Sequence, residues 1–184
     1  MMNKFLKKAC SLALCVAMIV TVCPKGQIFY TNVSAADTMD GEPYNISYGR
    51  PVYASSQNGN DSAENAVDGK DSTRWQAAGD DTNEWLYVDL GKKADIDHLF
   101  IHWEAAYAKS YEIQFSDDEE NWTTVYENYN ATGGTQTIEF TPVSARYVKI
   151  YCIKRATEYG FSIYEFEIYK DSVGGSTIKS DAAS

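Results

Sequence analysis

Short stretches in which apolar and polar residues alternate fill the chain between Tyr44 and Tyr169. Successive side chains of a β-strand point to opposite faces, so this alternation indicates strands, and the stretches are also rich in Val, Ile, Tyr, Phe, Trp and Thr. We predict strands at Val52–Ser55, Trp85–Asp89, Asp97–Trp103, Ser110–Phe115, Thr123–Tyr129, Thr135–Phe140, Tyr147–Ile153 and Ser162–Tyr169. Turn-forming clusters separate them, and we predict turns at Gly91-Lys92-Lys93, at residues 116–121 and at Thr132-Gly133-Gly134.

The fold class that this pattern indicates is all-β, with about eight strands. No helical periodicity occurs between the predicted strands, and short strands joined by turns favour an antiparallel two-sheet sandwich. A domain of about 125 residues can bury enough apolar surface to be stable without disulfides. The core candidates are the apolar residues of these segments: Trp85, Tyr87, Ile113, Phe115, Trp122, Val125, Ile138, Val148, Ile150 and Ile168.

The beginning of the chain, Met1–Ala36, has the features of a secretory signal peptide. A lysine-containing start is followed by the apolar run Ala9–Val22, which is short for a membrane span, and then by small residues at Ser34-Ala35-Ala36. We therefore predict a secreted, extracellular protein. A single membrane anchor and a lipoprotein are the alternatives, and the residues before the leader's cysteines are larger than those before a lipoprotein cleavage site.

The composition divides the remainder of the chain into three parts. Residues 37–44 are a short polar linker, and residues 45–169 hold the predicted strands and form one domain. Residues 170–184 are rich in Gly, Ser, Asp and Ala, a composition typical of a flexible tail.

The charge of the chain argues against binding to polyanions. The chain has 16 basic and 26 acidic side chains, and the leader carries four lysines and no acid, so the mature protein has a formal charge of −14. Nucleic-acid binding requires a basic surface that replaces phosphate counterions. The same negative charge repels anionic lipid headgroups. We therefore expect neither nucleic acid nor membrane lipid as a partner.

Only one cysteine, Cys152, lies outside the predicted leader, so the mature chain has no intrachain disulfide. It belongs to the alternating run Tyr147–Ile153, where a cysteine usually serves as a small hydrophobic core residue. We predict that Cys152 is buried.

Four motifs occur in order along the domain and carry a resemblance to a known family. They are Val67–Trp75 (VDGKDSTRW), Trp85–Gly91 (WLYVDLG), His102–Tyr111 (HWEAAYAKSY) and Tyr159–Tyr169 (YGFSIYEFEIY). Together they resemble the discoidin, or coagulation factor 5/8 type C, domain, and most of all its bacterial branch, carbohydrate-binding module family 32. The resemblance implies a galactose-binding-like jelly-roll sandwich and a non-catalytic sugar-binding function.

The first motif packs oxygen donors into a turn that contains Gly69, and hard cations such as calcium bind six to eight such oxygens. An ordinary turn, in which the side chains bind their own backbone, is the alternative. The resemblance implies a structural calcium ion held by the side chains of Asp68, Thr73 and Glu165 and by the backbone carbonyls of Asn65, Lys70 and Tyr164.

Sugar hydroxyls pair with arginine forks and carboxylates, and the C–H faces of sugars lie on aromatic rings. The candidates for a loop-edge sugar site are Gln57, Arg74, Asp80, Glu104, Tyr107, Arg155 and Tyr159. Tyr107 and Tyr159 are the alternative stacking residues, and each could instead pack against the protein. Glu104 follows a predicted strand end, and a salt bridge to Arg74 or Lys109 is its alternative role.

The resemblance is strongest to modules appended to bacterial chitosanases and β-1,3-glucanases. It implies that acids at the positions of Gln57 and Glu104 contact the ammonium group of glucosamine. Here Gln57 is neutral, so one charge partner is missing. Chitosan, a neutral β-glucan, galactose and N-acetylated sugars therefore all stay open as ligands.

Catalysis is not expected. A glycosidase requires two carboxylates about 5–10 Å apart across a cleft, and Glu104 with Asp80 is the candidate pair. The shallow loops of a small sandwich, however, would not exclude water from such a pair. His98 and His102 share a strand face about 13 Å apart, too far to bind one metal ion.

The function predicted from the sequence is therefore a secreted, monomeric, non-catalytic module that binds a cell-wall or extracellular polysaccharide. A protein-binding adhesion domain is one alternative. The truncated binding part of a glycoside hydrolase, with a separate or missing catalytic domain, is the other.

Overall fold

The computed structural model describes residues 44–79 and 83–170 in full and, before them, the backbone of two short strands. The chain divides into two units, Met1–Gly41 and Glu42–Ser184. In the first unit, β1 (Met18–Val22) pairs antiparallel with β2 (Ile28–Asn32). Most of the predicted signal peptide, most of the linker and residues 171–184 of the tail lie outside the described residues. None of the described residues forms a helix long and apolar enough to span a bilayer.

The described residues of the second unit form eight strands and one short 3₁₀ helix, Ala63–Val67. The strands are β3 (Tyr44–Asn45), β4 (Val52–Ala54), β5 (Trp75–Gln76), β6 (Glu84–Trp103), β7 (Ala108–Ser116), β8 (Thr123–Asn128), β9 (Thr135–Arg155) and β10 (Ser162–Lys170). All of their pairings are antiparallel, which confirms the predicted sandwich class.

Two long strands, β6 and β9, are shared by the two layers. The first half of β6 pairs with the second half of β9, and this layer is completed by β4 on one side and by β7 and β8 on the other. The second half of β6 pairs with the first half of β9, and β10 joins it with β3 and β5 at its outer edge. The layers are thus continuous through two strands rather than linked only by loops.

The predicted turn at Gly91-Lys92-Lys93 is wrong. Pairing stops after Asp89 and resumes at Ala94, so the chain makes a bulge there and continues as β6. Gly91 has a φ of 78°, a conformation that glycine adopts readily. The Arg146 guanidinium donates two 2.8 Å hydrogen bonds to Asp89 and holds the pKa of that carboxyl below its usual value. The strands predicted separately at Trp85–Asp89 and Asp97–Trp103 are therefore one strand, β6. Those predicted at Thr135–Phe140 and Tyr147–Ile153 are likewise one strand, β9.

Six of the predicted core residues are buried: Ile113, Phe115, Ile138, Val148, Ile150 and Ile168. Cys152 is also fully buried, as predicted, and burial raises the pKa of its thiol.

The other four predicted core residues, Trp85, Tyr87, Trp122 and Val125, are only partly buried. In β6 the alternation turns Leu86 and Val88 inward with no exposed surface, so Trp85 and Tyr87 point to the outer face. There they form an outer aromatic surface with Tyr53 and Trp122, in which the ring centroids of Tyr53, Trp85 and Trp122 lie 5.1–5.5 Å from that of Tyr87.

We expect substitutions on the inward and outward faces of this layer to lower the free energy of unfolding by different amounts. Leu86→Ala should lower the free energy of unfolding by about 2–5 kcal/mol, because it leaves a cavity in the core. Tyr53→Ala, on the outer face of the neighbouring strand, should cost about 1 kcal/mol, since Tyr53 is 49% exposed. Urea denaturation measures both values, and equal losses would contradict the assigned strand faces.

Candidate functional site

Ser162, the first residue of β10, connects segments at one end of the sandwich. Its backbone N–H donates to the carbonyl of Ala106 (2.8 Å), and its carbonyl accepts from the N–H of Glu104 (3.1 Å). Its buried hydroxyl donates to the carbonyl of Trp75 (3.0 Å), and it pairs in register with Gln76. The loop after β6 and the segment around β5 therefore meet on the two sides of β10.

Two more segments are attached to the same end. In the loop between β9 and β10, the Ala156 N–H donates to the carbonyl of Tyr107, and the Phe161 carbonyl accepts from Ala77, both at 3.0 Å. The segment after β4 joins through Asn58, whose N–H donates to a carbonyl of β5 (2.9 Å). These backbone hydrogen bonds fix the positions of four segments relative to one another. We call this region the loop end.

Glu104 lies at the loop end directly after β6, as predicted. It is half-buried, and its Oε2 accepts a hydrogen bond from the N–H of Ala106 (2.8 Å), which holds the carboxylate on the loop. The alternative ion pairs are not formed. Arg74 pairs with Asp61 (3.2 Å), and the Lys109 ammonium donates to a backbone carbonyl before β9 (3.1 Å).

The two candidate stacking residues differ in exposure. Tyr159 is 67% exposed in the loop between β9 and β10. Tyr107 is half-buried, packs against the hydrophobic core, and lies so close to Gly133 that a Cβ there would be 2.7 Å from the ring. Tyr159 is therefore the residue that presents a ring to solvent, whereas Tyr107 supports the loops.

Three more of the predicted sugar residues, Gln57, Arg74 and Arg155, lie around this end. The Arg74 guanidinium donates to the side chain of Gln76 (3.1 Å), and Gln57 accepts from the N–H of Ala63 (3.4 Å). Arg155 closes its loop by donating to the carbonyl of Glu158 (3.2 Å). The seventh residue, Asp80, lies outside the described residues.

The predicted cation turn is stabilised by its own side chains. The Thr73 hydroxyl lies 2.9 Å from Asp68 Oδ2 and 3.0 Å from the carbonyl of Lys70. Asp68 Oδ1 accepts from the N–H of Lys70 (2.9 Å), and Glu165 Oε1 accepts from the same N–H (2.7 Å). Four of the six predicted calcium ligands, Asp68, Lys70, Thr73 and Glu165, are thus in contact with one another.

Glu165 is unusual in this turn because its carboxylate is buried. The residue is 3% exposed, and its Oε2 has no hydrogen-bond partner among the described residues. Burial raises the pKa of Glu165 to about 7, although the N–H groups of Lys70 and Gly69 act in the opposite direction. An unpaired buried oxygen is costly, and a bound cation would satisfy it. The donor set therefore fits a hard cation.

The other two predicted ligands, Asn65 and Tyr164, lie beside Thr73 on the wall of a polar groove. Within the described part of the chain, no group of three or more His, Cys, Asp or Glu side chains could hold a metal ion. A cation at this turn would therefore depend on two carboxylates supplemented by hydroxyl and carbonyl oxygens.

Sequence reasoning missed three residues at the loop end: Gln76, Asp61 and Ser162. A signal for Gln76 was available. Trp75 is completely buried in the extended run Arg74–Gln76. Because side chains alternate along a strand, those of Arg74 and Gln76 both point to the face opposite Trp75. The role of Ser162 depends on contacts with residues far away in the sequence, which a local pattern does not reveal.

Solved structures of other proteins share this arrangement of strands. Chitosan-binding module 2 of a chitosanase/glucanase from Paenibacillus sp. IK-5, in complex with chitotriose, is 37% identical, with a TM-score of 0.67 over 68% of this chain and 99% of that chain. Chitosan-binding module 1 of the same enzyme is 41% identical, with a TM-score of 0.67 over 68% and 98%. The family 32 module of Clostridium perfringens NanJ, in complex with galactose, is 26% identical, with a TM-score of 0.60 over 70% and 98%.

A curated relative and a family model agree with these structures. The polysaccharide lyase 8 family protein HylA of Enterococcus faecalis is 36% identical over 58% of this chain, and the match spans 8% of that protein's length. The model of the F5/8 type C domain matches residues 51–166. This match covers more than half of the chain and both layers of the sandwich, and the chain therefore belongs to the F5/8 type C domain family.

Proposed function

We propose that this protein is a secreted, non-catalytic module that binds a cell-wall or extracellular polysaccharide at the loop end. The observation that carries the proposal is the convergence of four segments around Ser162, which brings Glu104, Arg74 and the exposed ring of Tyr159 to one end of the sandwich. A carboxylate, a guanidinium and an aromatic ring are the groups that bind sugar hydroxyls and sugar C–H faces.

The ligand class that we propose first is a glucosamine or β-glucan polymer. The Paenibacillus modules, at 37% and 41% identity, are described as chitosan-binding, and the NanJ module, solved with galactose, is less similar. Glu104 supplies one negative charge for an ammonium group, and Gln57 supplies none. The preference for a cationic sugar should therefore rest on Glu104.

The module would act together with a catalytic domain on another part of a longer protein or on a separate protein. The similar modules come from a chitosanase/glucanase, and the chain matches a small part of a polysaccharide lyase. We propose no role in bond cleavage for the residues of the loop end. The module would instead keep an enzyme close to its polymer.

Glu104→Ala should weaken polysaccharide binding at least about tenfold, because a hydrogen bond to a charged group contributes about 1.5–3 kcal/mol. The assay is affinity electrophoresis of residues 37–184 in gels that contain chitosan, β-1,3-glucan, galactan or no polymer. Glu120→Ala is the matched control, since it removes the same charge from the exposed turn after β7. Retardation lost in Glu104→Ala and kept in Glu120→Ala supports the proposal, whereas no retardation by any polymer contradicts it.

Gly133→Ala should disturb the loop end, because its new Cβ would lie 2.7 Å from the ring of Tyr107. Gly134→Ala is the matched control: it has a similar positive φ, but a Cβ there meets no atom within 4 Å. Both variants should lose about 1–2 kcal/mol of stability from the backbone conformation. Only Gly133→Ala should also lose affinity in the same gels, and an equal loss in both variants would show that the packing of Tyr107 is irrelevant.

We further propose that the cation turn binds a structural calcium ion through Asp68, Thr73, Glu165 and the carbonyls of Asn65, Lys70 and Tyr164. The support is the buried, unpaired Oε2 of Glu165, whose other carboxylate oxygen shares the N–H of Lys70 with Asp68. The ion would neutralise the buried carboxylate and join the turn to β10. It would stabilise the loops without contacting the sugar.

Calcium should raise the melting temperature by several degrees, since a ligand at 100 times its Kd adds about 2.7 kcal/mol. Glu165→Gln should abolish this rise and, in chelator, should be no less stable than the wild type, because it removes a buried charge. Asp71→Asn is the control, because Asp71 is in the same turn but pairs with His102 (2.8 Å). A melting temperature that is the same in calcium and in chelator would contradict the proposed calcium site.

A further inference from the structure

A polar groove of about 600 Å³ runs beside the cation turn. Its walls come from the segment before and within the 3₁₀ helix, from the turn before β5 and from β10. The residues that line it and carry the argument below are Asn60, Ser72, Arg74 and Tyr164.

The chemistry of the groove matches a sugar better than an anion. Ser72 and Tyr164 carry hydroxyls that both donate and accept hydrogen bonds, and Asn60 carries an amide with both functions. Sugar hydroxyls need this mixture of donors and acceptors. The groove also contains two carboxylates, of Asp61 and Asp71, which would repel a phosphate or a sulfate.

The groove is connected to the loop end through Arg74. The guanidinium donates to Asp61 in the groove (3.2 Å) and to Gln76 of β5 (3.1 Å). Gln76 pairs with Ser162, which in turn binds the backbone of Glu104. Tyr164 follows Ser162 by two residues in β10. The groove and the loop end are therefore neighbours along β10.

Tyr164 is held in position on the groove wall. Its ring lies 5.0 Å from the ring of His102 at an interplanar angle of 54°. His102 is itself held by a 2.8 Å hydrogen bond to Asp71. A ring that its neighbours already restrain loses little further freedom when a sugar packs against it.

We infer that this groove is a second sugar subsite, which binds a pyranose unit of the same chain whose other units lie at the loop end. The inference rests on the proposed function and adds to it that the ligand is an oligomer. The affinity should therefore increase with the number of sugar units.

The test is isothermal titration calorimetry with glucosamine oligomers and β-1,3-glucose oligomers of one to six units, in saturating calcium. For the wild type we expect affinity to rise at least about tenfold, or 1.4 kcal/mol, from the shortest oligomer that binds to the longest. Tyr164→Ala and Asn60→Ala should each lose most of this gain and retain the affinity for the shortest oligomer within about twofold. Tyr164→Phe, which keeps the ring, should retain more of the gain than Tyr164→Ala.

Two variants are required because the Tyr164 carbonyl is also a proposed calcium ligand. Asn60 is exposed and outside that ligand set, so its result does not depend on the cation turn. Affinity that is independent of oligomer length, or a length-dependent gain that both variants retain, overturns the second subsite and leaves the proposed function intact. Failure of every oligomer and of every polymer gel to bind the wild type overturns the proposed function and the subsite together.

Discussion

The antiparallel pairing of β6 with β9 is the constraint on which the rest of the domain depends. These strands pair along both layers and change layer together at the bulge, where Asp89 and Arg146 form a bidentate ion pair. Trp103 at the end of β6 and Arg155 at the end of β9 both lead into loop-end segments. Ser162, which begins the next strand, binds the first of these segments through its backbone. The loops are therefore positioned by the sheets.

The loop end and the cation turn make different use of polar groups. At the loop end, the side chains of Glu104 and Arg74 are half-buried, and Glu104 is oriented by a hydrogen bond from the backbone of Ala106. In the cation turn the carboxylate of Glu165 is buried with one unpaired oxygen, an arrangement that favours a cation. Arg74 lies between the two regions and contacts the groove that we infer to be a second subsite.

Strand alternation was sufficient to predict the fold class and most of the strands, because period-two patterns depend only on local sequence. It failed where both faces of a strand carry strong β-formers. In β6, Trp85 and Tyr87 alternate with Leu86 and Val88; the prediction placed the aromatic residues in the core, whereas Leu86 and Val88 occupy it. The Gly91-Lys92-Lys93 sequence has turn chemistry, yet long-range pairing with β9 continues the strand beyond it.

The candidate site was predictable as a set of residue types but not as an arrangement. Glu104 could be placed at a strand end from the preceding Trp103, and the structure has it there. The choice between Tyr107 and Tyr159 required the position of Gly133, and the partners of Arg74 required the path of the segment before the 3₁₀ helix. Both depend on contacts between segments distant in sequence.

The central claim is that sugar binds at the loop end, and mapping amide chemical-shift changes by NMR during titration with chitotriose tests it most directly. The account predicts that the largest changes occur at Arg74–Gln76, at Glu104–Tyr107 and at residues 155–162. Changes confined to the outer aromatic surface around Tyr53 and Trp122 would contradict it. They would show that the sugar binds to the outer face of a sheet and not to the loop end.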